Sequence, residues 1–187
     1  MGEKSKSLLE NIKSYASERS KELKKLAQTE LTIDQVEANI AGQKIAFKAN
    51  VERIAAWRLY VELSTRITTQ EIRKEEGLLR EALTSLYNMF EITRRILKEA
   101  GPAVAQGKES LGFYAMAILN MEIRPFLAYW HPRLQHWEAQ NKDMKISALE
   151  HEEKWGENAT VRKALEELRN SLLQYCDALA TLAGLSD

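Results

Sequence analysis

The most constraining feature of the sequence is the spacing of apolar residues between Glu76 and Ala100. Side chains of one stripe recur there at alternating intervals of four and three, at Leu79, Leu83, Leu86, Phe90, Thr93 and Leu97. Such intervals put these side chains on one side of an α-helix. Gly101-Pro102 follows directly and is a pair that typically ends a helix. A long helix with one apolar stripe must pack against others.

Two further stretches show helical periodicity, from residue 50 to 68 and from Val161 to Leu182, where Asn158 is expected to cap the helix. A fourth helix is expected to start at Ser110 and to kink near Met121 to Arg124, because Pro125 removes a backbone donor. With 8 glycines and 3 prolines in 187 residues, few positions interrupt long helices. The sequence therefore predicts an all-α fold, an up-and-down bundle of four main helices with a peripheral N-terminal helix and a proline-kinked helix.

Residues 33–50 leave three structures open. Thr32 and Gln35 form a capping box, which favours a helix that begins there. Gly42 interrupts the pattern, however, and apolar residues alternate on both sides of it. The stretch is therefore one helix, a broken helix or a short hairpin.

The chain is expected to form a single domain overall, with residues 1–29 as a peripheral basic amphipathic helix and residues 30–187 as the bundle. The first 29 residues contain seven basic and four acidic residues, whereas the whole chain balances 27 Lys and Arg against 27 Asp and Glu. A dedicated nucleic-acid binder usually carries a basic excess, so the neutral total disfavours that class. The polar N-terminus and the short apolar runs predict a cytoplasmic protein without a transmembrane segment.

Tests for catalytic chemistry give no candidate. Cys176 is the single cysteine and is expected to be a buried apolar residue, and none of the three histidines follows a glutamate by three positions, as a di-iron bundle requires. No nucleophile elbow or phosphate-binding glycine loop occurs. Adjacent acidic residues such as Glu152-Glu153 are expected to be solvated. The sequence therefore predicts no catalytic residue, no metal and no cofactor, and a protein that is not an enzyme.

The densest unusual stretch runs from Asn120 to Glu138 and holds two prolines, two tryptophans and two histidines. Tryptophan and arginine dominate the energetics of many protein interfaces. The candidate interaction residues are Asn120, Arg124, Trp130, His131, Arg133 and Trp137. The alternative is a structural role. Aromatic side chains would fill the space at the kinked helix, and Asn120 and Arg124 would donate to the backbone carbonyls that Pro125 leaves unpaired.

Several segments carry a resemblance to a family of bacterial helical proteins that has no known activity. They are LREAL at residues 79–83, SLY at 85–87, LN at 119–120, RPFLA at 124–128 and WHP at 130–132. The resemblance extends roughly from Glu62 to Glu138. It implies a bacterial origin and a family signature at residues 124–132, and it transfers no catalytic residue.

These observations favour a non-enzymatic interaction protein that assembles with itself or with another protein. One alternative is a nucleic-acid-binding accessory protein that uses the basic N-terminal helix. Another is a small-ligand sensor, with a polar pocket formed by Asn120, Arg124 and His131 at the Pro125 kink.

Overall fold

The computed structural model describes residues 41–70, 76–105, 110–140 and 145–185, together with residues 10, 13–15, 17–18 and 21. For residues 41–50 it describes the helix but not the side chains. The all-α prediction is confirmed, since every regular element in these ranges is helical and none is a strand. The hairpin alternative is wrong for its second arm, because residues 41–50 are helical. Its first arm and the Thr32–Gln35 capping box lie outside the described residues.

Six α-helices are described: α1 (Ala41–Ser64), α2 (Leu79–Ala100), α3 (Leu111–Ile118), α4 (Arg124–Gln140), α5 (Ala148–Glu153) and α6 (Asn158–Ala183). A π-helical turn, Leu119–Ile123, joins α3 to α4 without a break. Short 3-10 turns follow α1 at Ile67–Thr69 and α2 at Pro102–Ala105. In addition, the described residues between positions 10 and 21 are helical, and we call them the N-terminal segment.

The first two helices of the bundle run antiparallel. Arg58 of α1 forms an ion pair with Glu99 at the end of α2. Arg66, just after α1, donates through Nη1 to the carbonyl of Ser85, near the start of α2, at 3.2 Å. The later residue on the α1 side therefore contacts the earlier residue of α2, as expected for an antiparallel pair.

The other two main helices complete the alternation. Arg80 at the start of α2 pairs with Glu138 near the end of α4. Arg53 in α1 donates through Nε to the carbonyl of Ala183, the last residue of α6, at 2.8 Å. The predicted up-and-down order is confirmed, with α1, α2, the continuous α3–α4 rod and α6 as its four members.

The core draws on all four members. Its largest fully buried side chains are Leu59, Leu63, Leu79, Leu83, Leu86, Ile96, Val104, Ile123, Leu134, Leu172, Leu179 and Leu182. Backbones also approach closely at Gly112 of α3, where a Cβ would lie 2.9 Å from the carbonyl oxygen of Val104. Glycine is therefore the residue that lets α3 pack against the 3-10 turn after α2.

Several predicted helix ends are confirmed and two are corrected. Ser110 caps α3 by accepting from the backbone of Phe113, and Gly101, with φ of 76°, ends α2. The helix expected to reach residue 68 ends at Ser64. Asn158 does not cap α6. It is the first helical residue, and its side-chain amide instead donates to the carbonyl of Glu152 at 2.8 Å.

The expectation that Glu152 is solvated is wrong. Its side chain is 3% exposed and accepts hydrogen bonds from the backbone N–H groups of Leu79 at 2.8 Å and Arg80 at 3.0 Å. The residue that precedes α2, Leu78, offers no side-chain cap. The first turn of a helix has unpaired N–H groups and a partial positive charge. The Glu152 carboxylate of α5 accepts hydrogen bonds from two such groups of α2 and balances the charge.

The expected irregularity before Pro125 is a π-helical turn. There the N–H of Arg124 donates to the carbonyl of Leu119, five residues earlier. Proline has no N–H and clashes with the carbonyl four residues before it, so a wider turn accommodates it. Pro132, by contrast, lies inside α4, which continues past it.

Candidate functional site

Two of the predicted interaction residues, Asn120 and Arg124, form a pair on the π-helical turn. Arg124 donates through Nε to Oδ1 of Asn120 at 3.1 Å. The guanidinium carbon of Arg124 also lies 4.9 Å from the ring centre of Phe90 in α2. Both members of the pair are exposed. The kink therefore presents a polar, positively charged pair held against α2.

His131 lies further along the same α2–α4 seam, in a second polar group. Its Nε2 is 3.2 Å from Nη1 of Arg80. Because arginine only donates, Nε2 must accept, which places the imidazole proton on Nδ1. Arg80 also binds both carboxylate oxygens of Glu138, at 2.9 and 2.6 Å. Arg124 and His131 are thus engaged by different α2 residues, and the structure does not bring them together with Asn120 at one polar centre.

The two tryptophans of the predicted site face α5 and the turn after it. Trp130 is 7% exposed, and its ring meets that of Trp155 edge-on at 6.2 Å. The half-buried Trp137 donates through Nε1 to the carbonyl of His151 at 3.3 Å. These contacts hold α5 and the turn after it against α4. Trp130 offers almost no surface to a partner.

Arg133 is exposed and engaged with its own helix. Its guanidinium carbon lies 3.5 Å from the ring centre of Tyr129, and its Nη1 donates to the carbonyl of the same residue at 2.8 Å. The six predicted residues therefore fall into separate groups along the π-helical turn and α4 rather than into one site.

Sequence reasoning missed the most exposed apolar surface of the α3–α4 rod. Phe113, Met116 and Met121 are 44%, 46% and 49% exposed, and Ala117 is half-buried between them. Their intervals of three and four place them on one side of the rod. We call these four residues the α3 face. The signal in the sequence was the run from residue 111 to 121, which contains no charged residue.

The Asn120–Arg124 pair lies next to the α3 face. Asn120 lies beside Met121 in the chain, on the π-helical turn that directly follows Met116 and Ala117, and its side chain holds Arg124. An apolar centre with arginine and amide groups at its border is the usual anatomy of a protein interface. A second exposed apolar stripe, Ile54, Trp57 and Val61 of α1, also has arginines beside it, but Arg53 and Arg58 contact Ala183 of α6 and Glu99 of α2.

The described residues offer little reactive chemistry. Burial raises the pKa of the Cys176 thiol to about 12, with a smaller contribution from the charge of Asp177. A thiol with such a pKa is a poor nucleophile at neutral pH. Within the described ranges, no group of three or more His, Cys, Asp or Glu side chains is arranged to hold a metal ion. None of the helices described here has the length and apolar character needed to cross a bilayer.

The fold and surface thus define an all-α bundle with an apolar face beside a polar pair. Comparisons with protein-family models, with curated proteins and with solved structures find no match to this chain.

Proposed function

We propose that this protein is a non-enzymatic assembly module that binds another polypeptide, either a second copy of itself or a different protein, through the α3 face. The proposal rests on the apolar composition of α3 and of the π-helical turn that follows it. A helix that is apolar on every side is normally covered on every side. Phe113, Met116 and Met121 nevertheless keep nearly half of their surface exposed.

The residues of the α3 face suit a protein partner. Methionine is unbranched and polarizable, so methionine-rich surfaces adapt to the side chains of different partners. The partner is expected to present an apolar helix face, which can lie along the rod. Asn120 and Arg124 at the border would give that contact its polar selectivity, since Arg124 is already oriented by Asn120 and Phe90.

The test is a native mass spectrum of the tagged protein purified from its own host after nuclease treatment. We expect either a discrete homo-oligomer or one stoichiometric second protein. The variant Met116→Lys should lose that assembly, because a charge would be buried in the contact without a partner. It should keep the wild-type helical circular dichroism and melting temperature, since Met116 is exposed.

The matched control is Ile54→Lys, the same change at a residue of α1 that is 51% exposed. This control should assemble like the wild type. A wild-type protein that is a bare monomer would contradict the proposal. Loss of assembly in Ile54→Lys but not in Met116→Lys would move the contact to α1 and contradict the assignment of the α3 face.

A further inference from the structure

The N-terminal segment is anchored beside the α3 face through a tyrosine. The hydroxyl of Tyr15 donates to Oε1 of Glu52 in α1, and the Tyr15 ring lies 5.3 Å from the ring of Tyr114 in α3, at a tilt of 50°. Among the described residues of the segment, Tyr15 alone is half-buried. The others, Glu10, Lys13, Ser14, Ser17, Glu18 and Lys21, are exposed.

The anchor is built on a carboxylate that also serves α3. Glu52 is 2% exposed, and its Oε1 accepts from the backbone N–H of Leu111, the first residue of α3, at 3.1 Å. If Tyr15 leaves, this carboxylate keeps its bond to the α3 terminus. Loss of the Tyr15 contact would therefore leave the bond of Glu52 to α3 in place, whereas the segment would lose a bond to a charged acceptor, which is stronger than a neutral one.

Tyr114 connects the anchor to the α3 face. Its ring is 6% exposed, with Tyr15 against it and the ring of Phe113 against it at 5.5 Å, edge to face. Departure of Tyr15 would uncover the side of the Tyr114 ring that Tyr15 contacts, next to Phe113. The α3 face would then widen around the first turns of the helix.

From this arrangement we infer that the N-terminal segment is an autoinhibitory strap: docked through Tyr15 it covers Tyr114 and keeps the α3 face narrow, and its release opens the face to the partner. The inference rests on the proposed function, because it concerns regulation of the same surface. A segment that opens at a lower free energy than the core is what such a regulatory element requires.

The experiment measures release and exposure in the full-length protein without any partner. In Tyr15→Phe, which keeps the ring and removes the hydroxyl, trypsin should cleave after Lys13 and Lys21 on the order of tenfold faster, as expected for loss of one bond to a charged acceptor. Binding of the apolar dye 8-anilinonaphthalene-1-sulfonate should rise in parallel. Introducing Met116→Lys into the same variant should suppress that rise, which locates the new dye site at the α3 face.

The matched control is Tyr87→Phe, which removes the hydroxyl of an exposed tyrosine on α2 and should change neither measurement. As a second way to release the strap, Ser14→Pro breaks the helix of the segment at an exposed position and should reproduce Tyr15→Phe. Unchanged cleavage in both variants would overturn the strap, and so would faster cleavage without added dye binding. Neither readout needs assembly, so the strap can fail while the proposed function stands, and the reverse.

Discussion

The buried Glu152 gives the sharpest prediction about stability. Replacing it by alanine leaves the backbone N–H groups of Leu79 and Arg80 without their acceptors, at 2.8 and 3.0 Å in the native structure. Each hydrogen bond to a charged group contributes about 1.5–3 kcal/mol. Part of that gain is offset because the buried carboxylate no longer has to be desolvated. We therefore expect Glu152→Ala to lower the free energy of unfolding by about 3 kcal/mol.

The assay is urea denaturation followed by circular dichroism at 222 nm, with thermal melting as a second measurement. For a domain of this size, 1 kcal/mol corresponds to a shift of roughly 2–4 °C, so the melting temperature should fall by about 6–12 °C. Glu153→Ala is the matched control, since Glu153 is the exposed neighbour on the same short helix and its loss should cost no more than about 0.5 kcal/mol.

The intermediate variant Glu152→Gln separates shape from charge. It keeps one acceptor oxygen but turns an NH₂ donor toward an N–H group, so the expected loss is about 2 kcal/mol. If Glu152→Ala and Glu153→Ala were equally stable, the carboxylate would not be a cap of α2, and the reasoning would be refuted.

Two further predictions concern adjacent residues of α6. The hydroxyl of Tyr175 is buried without a hydrogen-bond partner among the described residues, so Tyr175→Phe should raise the free energy of unfolding by about 1 kcal/mol in urea titrations, whereas Tyr87→Phe at an exposed position should change nothing. The Cys176 thiol has its pKa raised from 9.0 to about 12, so the native protein should resist Ellman's reagent at pH 8 and react only after unfolding. Because the unfolded thiol ionises first, the contribution of Cys176 to stability should be lost as the pH rises from about 9 to 12, and Cys176→Ala should lack that component of the alkaline stability loss.

Elements governed by local rules could be predicted from the sequence. The intervals of four and three identified α2 because helical geometry alone decides which side chains share a stripe. Ser110 could be recognised as a cap, and Gly101 as an end, because each acts on backbone groups within a few residues. The kink before Pro125 follows from a missing N–H group in the same way, although only the structure shows that the chain resolves it as a π-helical turn.

The buried carboxylates could not be predicted, because they act across the fold. Glu152 caps a helix whose first residue is 73 positions away in the chain, and Glu52 caps one 59 positions away. The local sequence of Glu152 does not distinguish it from the exposed Glu153 beside it. Leu78, the residue before α2, has no capping side chain, and that missing local cap was the one sign that a distant acceptor is needed.

The candidate site was predicted in part. Asn120 and Arg124 were named as candidate interaction residues, and their side chains form an exposed hydrogen-bonded pair. The density of aromatic residues that drew attention to Trp130 also serves packing, and its edge-on contact with Trp155 is internal. Residue type alone cannot distinguish an interface tryptophan from a core tryptophan, because both bury a large apolar surface. The difference is whether a partner or the same chain covers the ring.

The size of the α3 face argues that any stable assembly must involve more than its exposed side chains. Full burial of a phenylalanine or methionine contributes about 1.5–3 kcal/mol, so burying the exposed halves of Phe113, Met116 and Met121 adds roughly 3 kcal/mol. A micromolar complex requires about 8 kcal/mol. The remainder must come from neighbouring groups, and the nearest are Arg124 at one end and Tyr114, beneath Tyr15, at the other. A strap that uncovers Tyr114 would therefore supply part of the missing binding free energy. Because the contact at the α3 face is small, a single tyrosine could control it.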